Sequence, residues 1–388
     1  MIRPLSLFAV LAMAALPNQV EAQSYGLISR LGRDTVSVER ITRTGSKVTG
    51  DLIERSPRVV QRHDEAQLAA DGSVELLTIE TRVLNPDPGR PAVQRIQAHF
   101  ASDSIHVTTR VDSDTARATA ISKNGNLAMP YLMYGPGSYE MTFGAALKRS
   151  GDSIPVGYYV PGGRAVTRGF VKRLGNGSAS IDFFGMPIVA KLDAQGQLVS
   201  MSGAATTIKL ETERLATAPN IEAIAASFAA TEKAAGPASA LSVRDTARAT
   251  VGAASMLVDY GRPTARGRTI LGNVVPYGEV WRTGANAATQ FTTSATITLG
   301  GLELAPGTYT LWTLPTARGA QIIVNKQTKQ WGTEYHADQD LGRVTAKVET
   351  LSTPVEKFTI SLVSTGAANG TLVIEWDNFR WSAPVVVK

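Results

Sequence analysis

One ten-residue segment of this chain concentrates side chains that could bind or act on a ligand. It offers a phenol, a carboxylate, an indole, a guanidinium, a hydroxyl and a carboxamide: Tyr277, Glu279, Trp281, Arg282, Thr283 and Asn286. Arg282 has a planar fork of donors and Asn286 has both a donor and an acceptor, so together they could hold a carboxylate, a phosphate or sugar hydroxyls. The alternative is structural, with Trp281 in a core, Arg282 in an ion pair and residues 284–286 in a tight turn.

A second group of polar and aromatic residues follows a predicted strand that ends near Asn325. The group comprises Lys326, Trp331, Tyr335 and His336. Loops on a rigid sheet are common positions for binding groups. Alternatively, Trp331 pins this loop onto the domain and Lys326 is simply solvated. If the two groups meet at one end of the domain, they form one candidate ligand site.

The sequence predicts no metal site, no cofactor and no familiar nucleophile. The four histidines are scattered: His63, His99, His106 and His336. No His-Glu-x-x-His, EF-hand, P-loop or Gly-x-Ser-x-Gly pattern occurs. Glu279 could pair with Glu334 or Asp338 for glycoside hydrolysis, but any chain of this length offers such carboxylate pairs.

These side chains must be positioned by a mainly β fold. From residue 35 to about residue 215, apolar and polar residues alternate at period two, with turn pairs such as Asp71-Gly72 and Asn176-Gly177 between the runs. The pattern predicts strands of a broad, twisted antiparallel sheet. Residues 190–193 and 197–200, joined by Ala194-Gln195-Gly196, predict a hairpin within it.

Residues 216–240 are rich in alanine and predict a short connecting helix and a linker. Asn220 is placed to cap a helix that begins at Ile221 and carries Ile224 and Phe228 on the same face.

Beyond the linker, short strands recur at regular spacing. The predicted strands are 295–299, 302–304, 308–314, 321–325, 344–348, 358–363, 372–376 and 382–387. This spacing, with turns such as Gly300-Gly301 between strands, predicts a β-sandwich of jelly-roll type.

The length of 388 residues exceeds the usual size of a single core, so we expect two domains. The predicted division is a signal sequence at 1–22, an antiparallel β domain at 23–215, a helical linker at 216–240 and the sandwich at 241–388.

The N-terminal segment has the pattern of a secretion signal. Arg3 precedes an apolar run at 5–16, and the small residue Ala22 predicts cleavage before Gln23. The run is too short to cross a bilayer, and no later segment approaches the roughly 18 apolar residues that a membrane span needs. We therefore expect a periplasmic or secreted protein with no transmembrane segment in the mature chain.

Composition narrows the partners further. The chain has no cysteine, which excludes disulfides and a lipid anchor through cysteine. The formal net charge is +6, and the lysines and arginines are dispersed rather than clustered with aromatic residues. The sequence therefore predicts no nucleic-acid partner.

Several blocks of the C-terminal part resemble the DUF2911 family, a bacterial domain of unknown function. In chain order the blocks are Tyr260-Gly261-Arg262-Pro263, Arg266-Gly267-Arg268, residues 275–286, residues 305–311, Asn325-Lys326, residues 330–333 and residues 374–377. The resemblance covers about residues 241–388 and leaves the N-terminal domain unrecognised. One departure is Ala287, where many members carry an acidic residue, so the resemblance implies no carboxylate role at that position.

The function that these observations favour is an exported, envelope-associated binding or accessory protein. The sandwich would recognise a small polar ligand or a glycan, because it carries a polar and aromatic block without an assembled catalytic group. Two alternatives remain open. One is a hydrolase that uses Glu279 as acid or base with Arg282 as an electrostatic stabiliser, and the other is a structural role in envelope assembly.

Overall fold

The structure, a computed structural model, describes residues 22–183, 186–206, 208–238 and 242–388. The predicted signal sequence lies outside the described residues except for Ala22. Within them the chain forms two large β-sheets and two α-helices. The prediction of a mainly β fold with two sheet domains and a short helical linker is confirmed.

The N-terminal domain contains one sheet of fifteen strands. Its strands are β1 (Gln23–Leu31), β2 (Asp34–Thr44), β3 (Lys47–Arg55), β4 (Val59–Leu68), β5 (Val74–Val83), β6 (Val93–Phe100), β7 (Ser104–Val111), β8 (Arg117–Ser122), β9 (Leu127–Pro130), β10 (Ser153–Tyr159), β11 (Val166–Gly175), β12 (Ser178–Phe183), β13 (Met186–Leu192), β14 (Leu198–Ser202) and β15 (Glu211–Leu215). The order across the sheet is β8-β7-β6-β5-β4-β3-β2-β1-β15-β14-β13-β12-β11-β10-β9. The predicted hairpin is confirmed as the antiparallel pair β13–β14.

The first strand of this sheet lies at its centre. β1 pairs with β2 on one side and with β15 on the other, both antiparallel. The alternation read from the sequence is visible in β6, where Ile96, Ala98 and Phe100 are buried and the residues between them are exposed. One face of the sheet therefore supplies the core of the domain.

Helix α1 (Pro136–Ala146) is packed into that core. All of its residues are buried except Gly144. The prediction of strands throughout residues 35–215 is wrong here. A helix that is buried on nearly all sides, polar residues included, has no amphipathic period, and its opening sequence Gly135-Pro136-Gly137-Ser138 has the composition of a turn.

Buried carboxylates hold α1 against the sheet. Glu39 Oε2 accepts a hydrogen bond from the backbone N–H of Gly137 at 2.7 Å, at the first turn of the helix. Glu140 accepts from Arg43 Nη2 and from the backbone N–H of Leu198, each at 2.6 Å. These bonds satisfy polar groups that would otherwise be costly to bury.

Helix α2 (Ile221–Ala235) joins the two domains. The side chain of Asn220 caps it, accepting a hydrogen bond from the backbone N–H of Ala223 at 2.9 Å, as the sequence predicted. Ile221 and Ala225 are buried with side chains of β2, β3 and β4. The helix therefore packs on the N-terminal domain.

The C-terminal domain contains nine strands and one 3₁₀ turn (Ala337–Gln339). The strands are β16 (Ser242–Val251), β17 (Ala254–Pro263), β18 (Thr289–Thr293), β19 (Ile297–Leu299), β20 (Leu302–Leu304), β21 (Gly307–Thr316), β22 (Gly319–Asn325), β23 (Asp340–Ser364) and β24 (Asn369–Val387). Their order is β16-β17-β18-β21-β22-β23-β24-β19-β20. Large side chains fill the space between the layers, among them Phe291, Phe358, Trp376 and Trp381.

Two strands of this domain are longer than the sequence suggested. The segments predicted as strands at 344–348 and 358–363 belong to the single strand β23, and those at 372–376 and 382–387 belong to β24. Their pairing shifts register between Thr350 and Val355 and again before Thr359. The irregularities bend both strands without ending them, which period-two patterning does not reveal.

The two domains contact each other through a pair of turns. The backbone N–H of Arg33, in the turn between β1 and β2, donates to the carbonyl of Arg266 at 2.9 Å. Arg266 is only 7% exposed, and its guanidinium forms an ion pair with Asp34.

No helix in the described part of the chain is long and apolar enough to cross a membrane.

Candidate functional site

A cavity of about 510 Å³ lies between the two domains. Residues 31, 56–57, 133–134, 186, 205–206 and 208–209 of the N-terminal domain line one side. The other side comes from the C-terminal domain and includes Arg268, Glu279, Arg282, Asn286 and Thr333. The volume is in the range of sites that hold small organic ligands.

Arg282 supplies the most unusual group in this cavity. Its Nη1 is buried and has no hydrogen-bond partner among the described residues. No carboxylate of the described chain forms an ion pair with it, and burial lowers the pKa of its guanidinium. A buried donor of a charged group without an acceptor is costly, so the site favours an acceptor brought by a ligand.

The backbone is shaped to accommodate this arginine. A methyl group at Gly332 would overlap the aliphatic stem of Arg282 and the carbonyl oxygen of Asn286. The stem therefore lies directly on the chain at Gly332, where only a glycine fits. The loop that carries Trp331 thus helps to fix the position of the guanidinium.

Two further bases face the same cavity, one from each domain. Arg268 donates to the carbonyls of Ala265 at 3.0 Å and Thr264 at 2.7 Å. Lys209 Nζ donates to the carbonyl of Ala204 at 2.8 Å. These acceptors are neutral, so neither base forms an ion pair within the described residues, although Glu279 acts electrostatically on Lys209 and Glu356 and Asp34 act on Arg268.

The pKa shifts of Lys209 and Arg268 agree with the grouping of three bases around one cavity. Burial lowers the pKa of Lys209, and the nearby charges of Arg282 and Arg268 lower it further. Burial and the charge of Arg266 lower the pKa of Arg268. Among the lining residues three are basic and one, Glu279, is acidic. The cavity therefore has a surplus of positive charge that an anion would neutralise.

The loop after Arg282 is held in a restricted backbone conformation. Thr283 has φ of 51° and is fully buried, and Asn286 has φ of 63°. Positive φ is uncommon for a β-branched residue and is retained only where the surroundings enforce it. Here Thr289 Oγ1 donates to the carbonyl of Thr283 at 2.6 Å. The backbone of Ala285 packs so closely on Gly261 that no side chain fits between them.

The other residues predicted in the first segment are divided between core and surface. Trp281 is 8% exposed and stacks on Trp376 with ring centroids 5.9 Å apart, so it fills the sandwich core as the structural alternative proposed. It nevertheless lines part of the main cavity. Tyr277 is 47% exposed and lines a separate cavity of about 360 Å³ with Arg318 and Glu349. Asn286 is exposed at the main cavity and donates to Ser242 Oγ at 2.9 Å.

The second predicted group does not converge on the main cavity. Tyr335 donates to Asp340 Oδ2 at 2.7 Å and packs on Trp312, which makes it a structural residue of the loop. Burial and the bond to Asp340 raise the pKa of Tyr335 to about 12. Lys326 is exposed, and Trp331 is 44% exposed beside the loop of Asn286. Of this loop only Thr333 lines the cavity.

Sequence reasoning missed two of the three bases. Arg268 lies in a block that carried the family resemblance, so a signal was present, although no binding role was assigned to it. Lys209 lies in the other domain, 73 positions before Arg282, and no motif marks it. Within the described residues no group of three or more histidine and acidic side chains could hold a metal ion.

Comparisons with known proteins agree with the sequence motifs. Residues 242–385 match the family described as a protein of unknown function, DUF2911, so the resemblance predicted for the C-terminal domain is confirmed. No family matches the N-terminal domain. Among curated proteins no sequence matches the chain. A solved structure of a DUF1089 family protein from Pseudomonas aeruginosa shows 11% identity and a TM-score of 0.30, covering 50% of this chain and 95% of that one.

Proposed function

We propose that this protein, whose C-terminal domain is a DUF2911 domain, is an exported binding protein that holds a small anion between its two domains. The observation that carries the proposal is Arg282, which lines the cavity and whose buried Nη1 has no acceptor from the described chain. Lys209 and Arg268 add positive charge to the same cavity. Export rests on the N-terminal sequence pattern.

The test is calorimetric titration of the mature chain with inorganic phosphate and with acetate, repeated on Arg282→Met. Methionine keeps most of the arginine stem but removes the charge. We expect affinity to fall at least about tenfold, because charge-assisted hydrogen bonds contribute roughly 1.5–3 kcal/mol. Without ligand, the variant should unfold at a higher temperature, because it no longer buries an uncompensated charge.

The matched control is Arg318→Met, which removes an exposed arginine of the same domain that does not line this cavity. It should bind anions as the native protein does. If Arg282→Met lowered the melting temperature and left anion affinity unchanged, Arg282 would be a structural residue and the proposal would be wrong.

A hydrolase remains the second candidate because of one observation. Glu279 is exposed at the same cavity and acts electrostatically on Lys209. A carboxylate beside bases that hold an anionic substrate could serve as general base. Turnover of a bound ester or phosphoester that disappears in Glu279→Gln, with binding retained, would favour this alternative over simple binding.

A further inference from the structure

The apolar residues of the cavity wall indicate a chemical property of the ligand that the basic residues alone do not indicate. Side chains from both domains contribute to it: Leu31, Met133, Met186, Ile208, Val274 and Val280. Met133 is 50% exposed although it faces a cavity rather than a flat surface. Exposed methionine in a cavity is adaptable apolar surface that a ligand can cover.

A small hydrated anion would use only part of this site. Phosphate or acetate can satisfy Arg282, Arg268 and Lys209, but it leaves the apolar wall in contact with water. The cavity volume of about 510 Å³ also exceeds what such an ion fills. An anion with an apolar body would neutralise the bases and remove the methionine surface from water at the same time.

We infer that the ligand is an amphipathic organic anion, with an acidic head at Arg282, Arg268 and Lys209 and an apolar body on the wall that includes Met133 and Met186. This inference rests on the proposed function, because it requires the anion site. It adds the class of ligand, a carboxylate or phosphate joined to an alkyl or aryl group. Both domains contribute to the head site and to the wall, so the ligand contacts both.

The experiment is a titration series at pH 7 with acetate, butanoate, hexanoate and octanoate, with phenylpropanoate as the aryl arm. We expect affinity to rise about fourfold per methylene until the wall is covered, which corresponds to ~0.8 kcal/mol per buried methylene. A larger gain for phenylpropanoate than for hexanoate would identify an aryl body, and the reverse would identify an alkyl body.

Two variants make the result specific. Met133→Ser should reduce the gain per methylene, because it replaces apolar wall with a hydroxyl. Leu174→Ser changes a side chain that is equally exposed, at 51%, but lies away from the cavity, and it should leave the whole series unchanged.

The outcomes separate this inference from the proposed function. If acetate and octanoate bind equally well and both depend on Arg282, the anion site stands and the amphipathic ligand is wrong. If neither inorganic phosphate nor any of the acids binds, or if octanoate binds equally to Arg282→Met, the anion site itself is wrong. A series that rises with chain length and collapses in Arg282→Met supports both.

Discussion

Two tryptophans of the C-terminal domain show how residue type alone leaves a role undecided. Trp281 stacks on Trp376 and meets Phe358 edge to face at 5.1 Å, inside the core. Trp331 is 44% exposed and pairs through its backbone with Ala287. Both belong to segments that the sequence singled out as ligand-binding candidates, and the structure places them in opposite surroundings.

These surroundings predict different consequences of truncation. Trp281→Ala should lower the free energy of unfolding by about 3–5 kcal/mol, because it removes a large side chain from a packed core. Trp331→Ala should change it by less than about 1 kcal/mol. Urea unfolding of both variants measures this, and equal losses would contradict the assignment of Trp281 to the core and Trp331 to the surface.

At the scale of single residues, only part of the candidate site was predictable from the sequence. Glu279, Arg282 and Asn286 line the cavity, and their close spacing in the sequence was enough to single them out. Tyr277 and Tyr335 also have side chains that could bind a ligand, but neither lines this cavity. A few residues along a bent loop are enough to change the direction of a side chain. Lys209 was not predictable, since its approach to Arg282 depends on how two domains dock.

At the scale of elements, one of the carboxylates that hold helix α1, Glu39, belongs to a buried pair with Asp64. Glu39 Oε1 and Asp64 Oδ2 lie 3.0 Å and 2.8 Å from the point where a side chain at Gly50 would begin. Arg62 Nε donates to Asp64 at 3.3 Å. Burial raises the pKa of Glu39 to about 8, and the charge of Asp64 contributes in the same direction. This upward shift favours the protonated form of Glu39 in the folded protein at neutral pH.

This shift predicts a pH-dependent stability. Below the ordinary glutamate pKa of 4.5, folded and unfolded chains both hold the proton, and the contribution to stability is full. Between 4.5 and about 8, only the folded chain holds it, so rising pH lowers stability by up to about 1.4 kcal/mol per unit. Glu39→Gln keeps an acceptor for Gly137 and removes the part of this dependence that comes from Glu39.

Urea unfolding between pH 5 and pH 8 measures the difference. The stability of Glu39→Gln relative to the native protein should increase with pH across this range. Glu75→Gln, which changes an exposed glutamate of β5, provides the control and should run parallel to the native protein. Parallel curves for Glu39→Gln would show that Glu39 is ionised in the folded state.

The strands around α1 were largely predictable because one face of each is buried, which produces alternation. The helix was not predictable. Because it is buried on nearly all sides, its sequence lacks the amphipathic period that distinguishes a helix from a turn. Likewise β23 and β24 were predicted in pieces, since the register shifts in their pairing interrupt the alternation without ending either strand.

At the scale of the whole molecule, the cavity exists because two turns hold the domains together. Arg266 is almost fully buried between them and pairs with Asp34, whose side chain is 39% exposed. The backbone bond from Arg33 to Arg266 accompanies this pair. Lys209 and Arg282 come from opposite sides of this contact, so the charge surplus of the cavity depends on it.

Removing the carboxylate at this contact should affect both stability and binding. Asp34→Ala leaves a buried guanidinium with less compensation, and we expect the free energy of unfolding to fall by about 1–2 kcal/mol, less than for a fully buried pair. Affinity for phosphate should fall as the domains separate. Glu213→Ala breaks a pair between strands of one domain, with side chains 40% and 58% exposed, and should change neither quantity by more than a few tenths.

The central position of β1 has a consequence for the order in which the molecule is built. The strand that leaves the ribosome first among those described needs β15 as its second neighbour, and Leu27 meets Arg214 across that pair. The turn that follows β1 gains its bond to Arg266 only after that residue has been synthesised, and the proposed anion site is complete only after Arg282. A growing chain therefore carries an unfinished sheet through most of its synthesis, and the last third of the protein both completes the cavity and covers the turn made at the start.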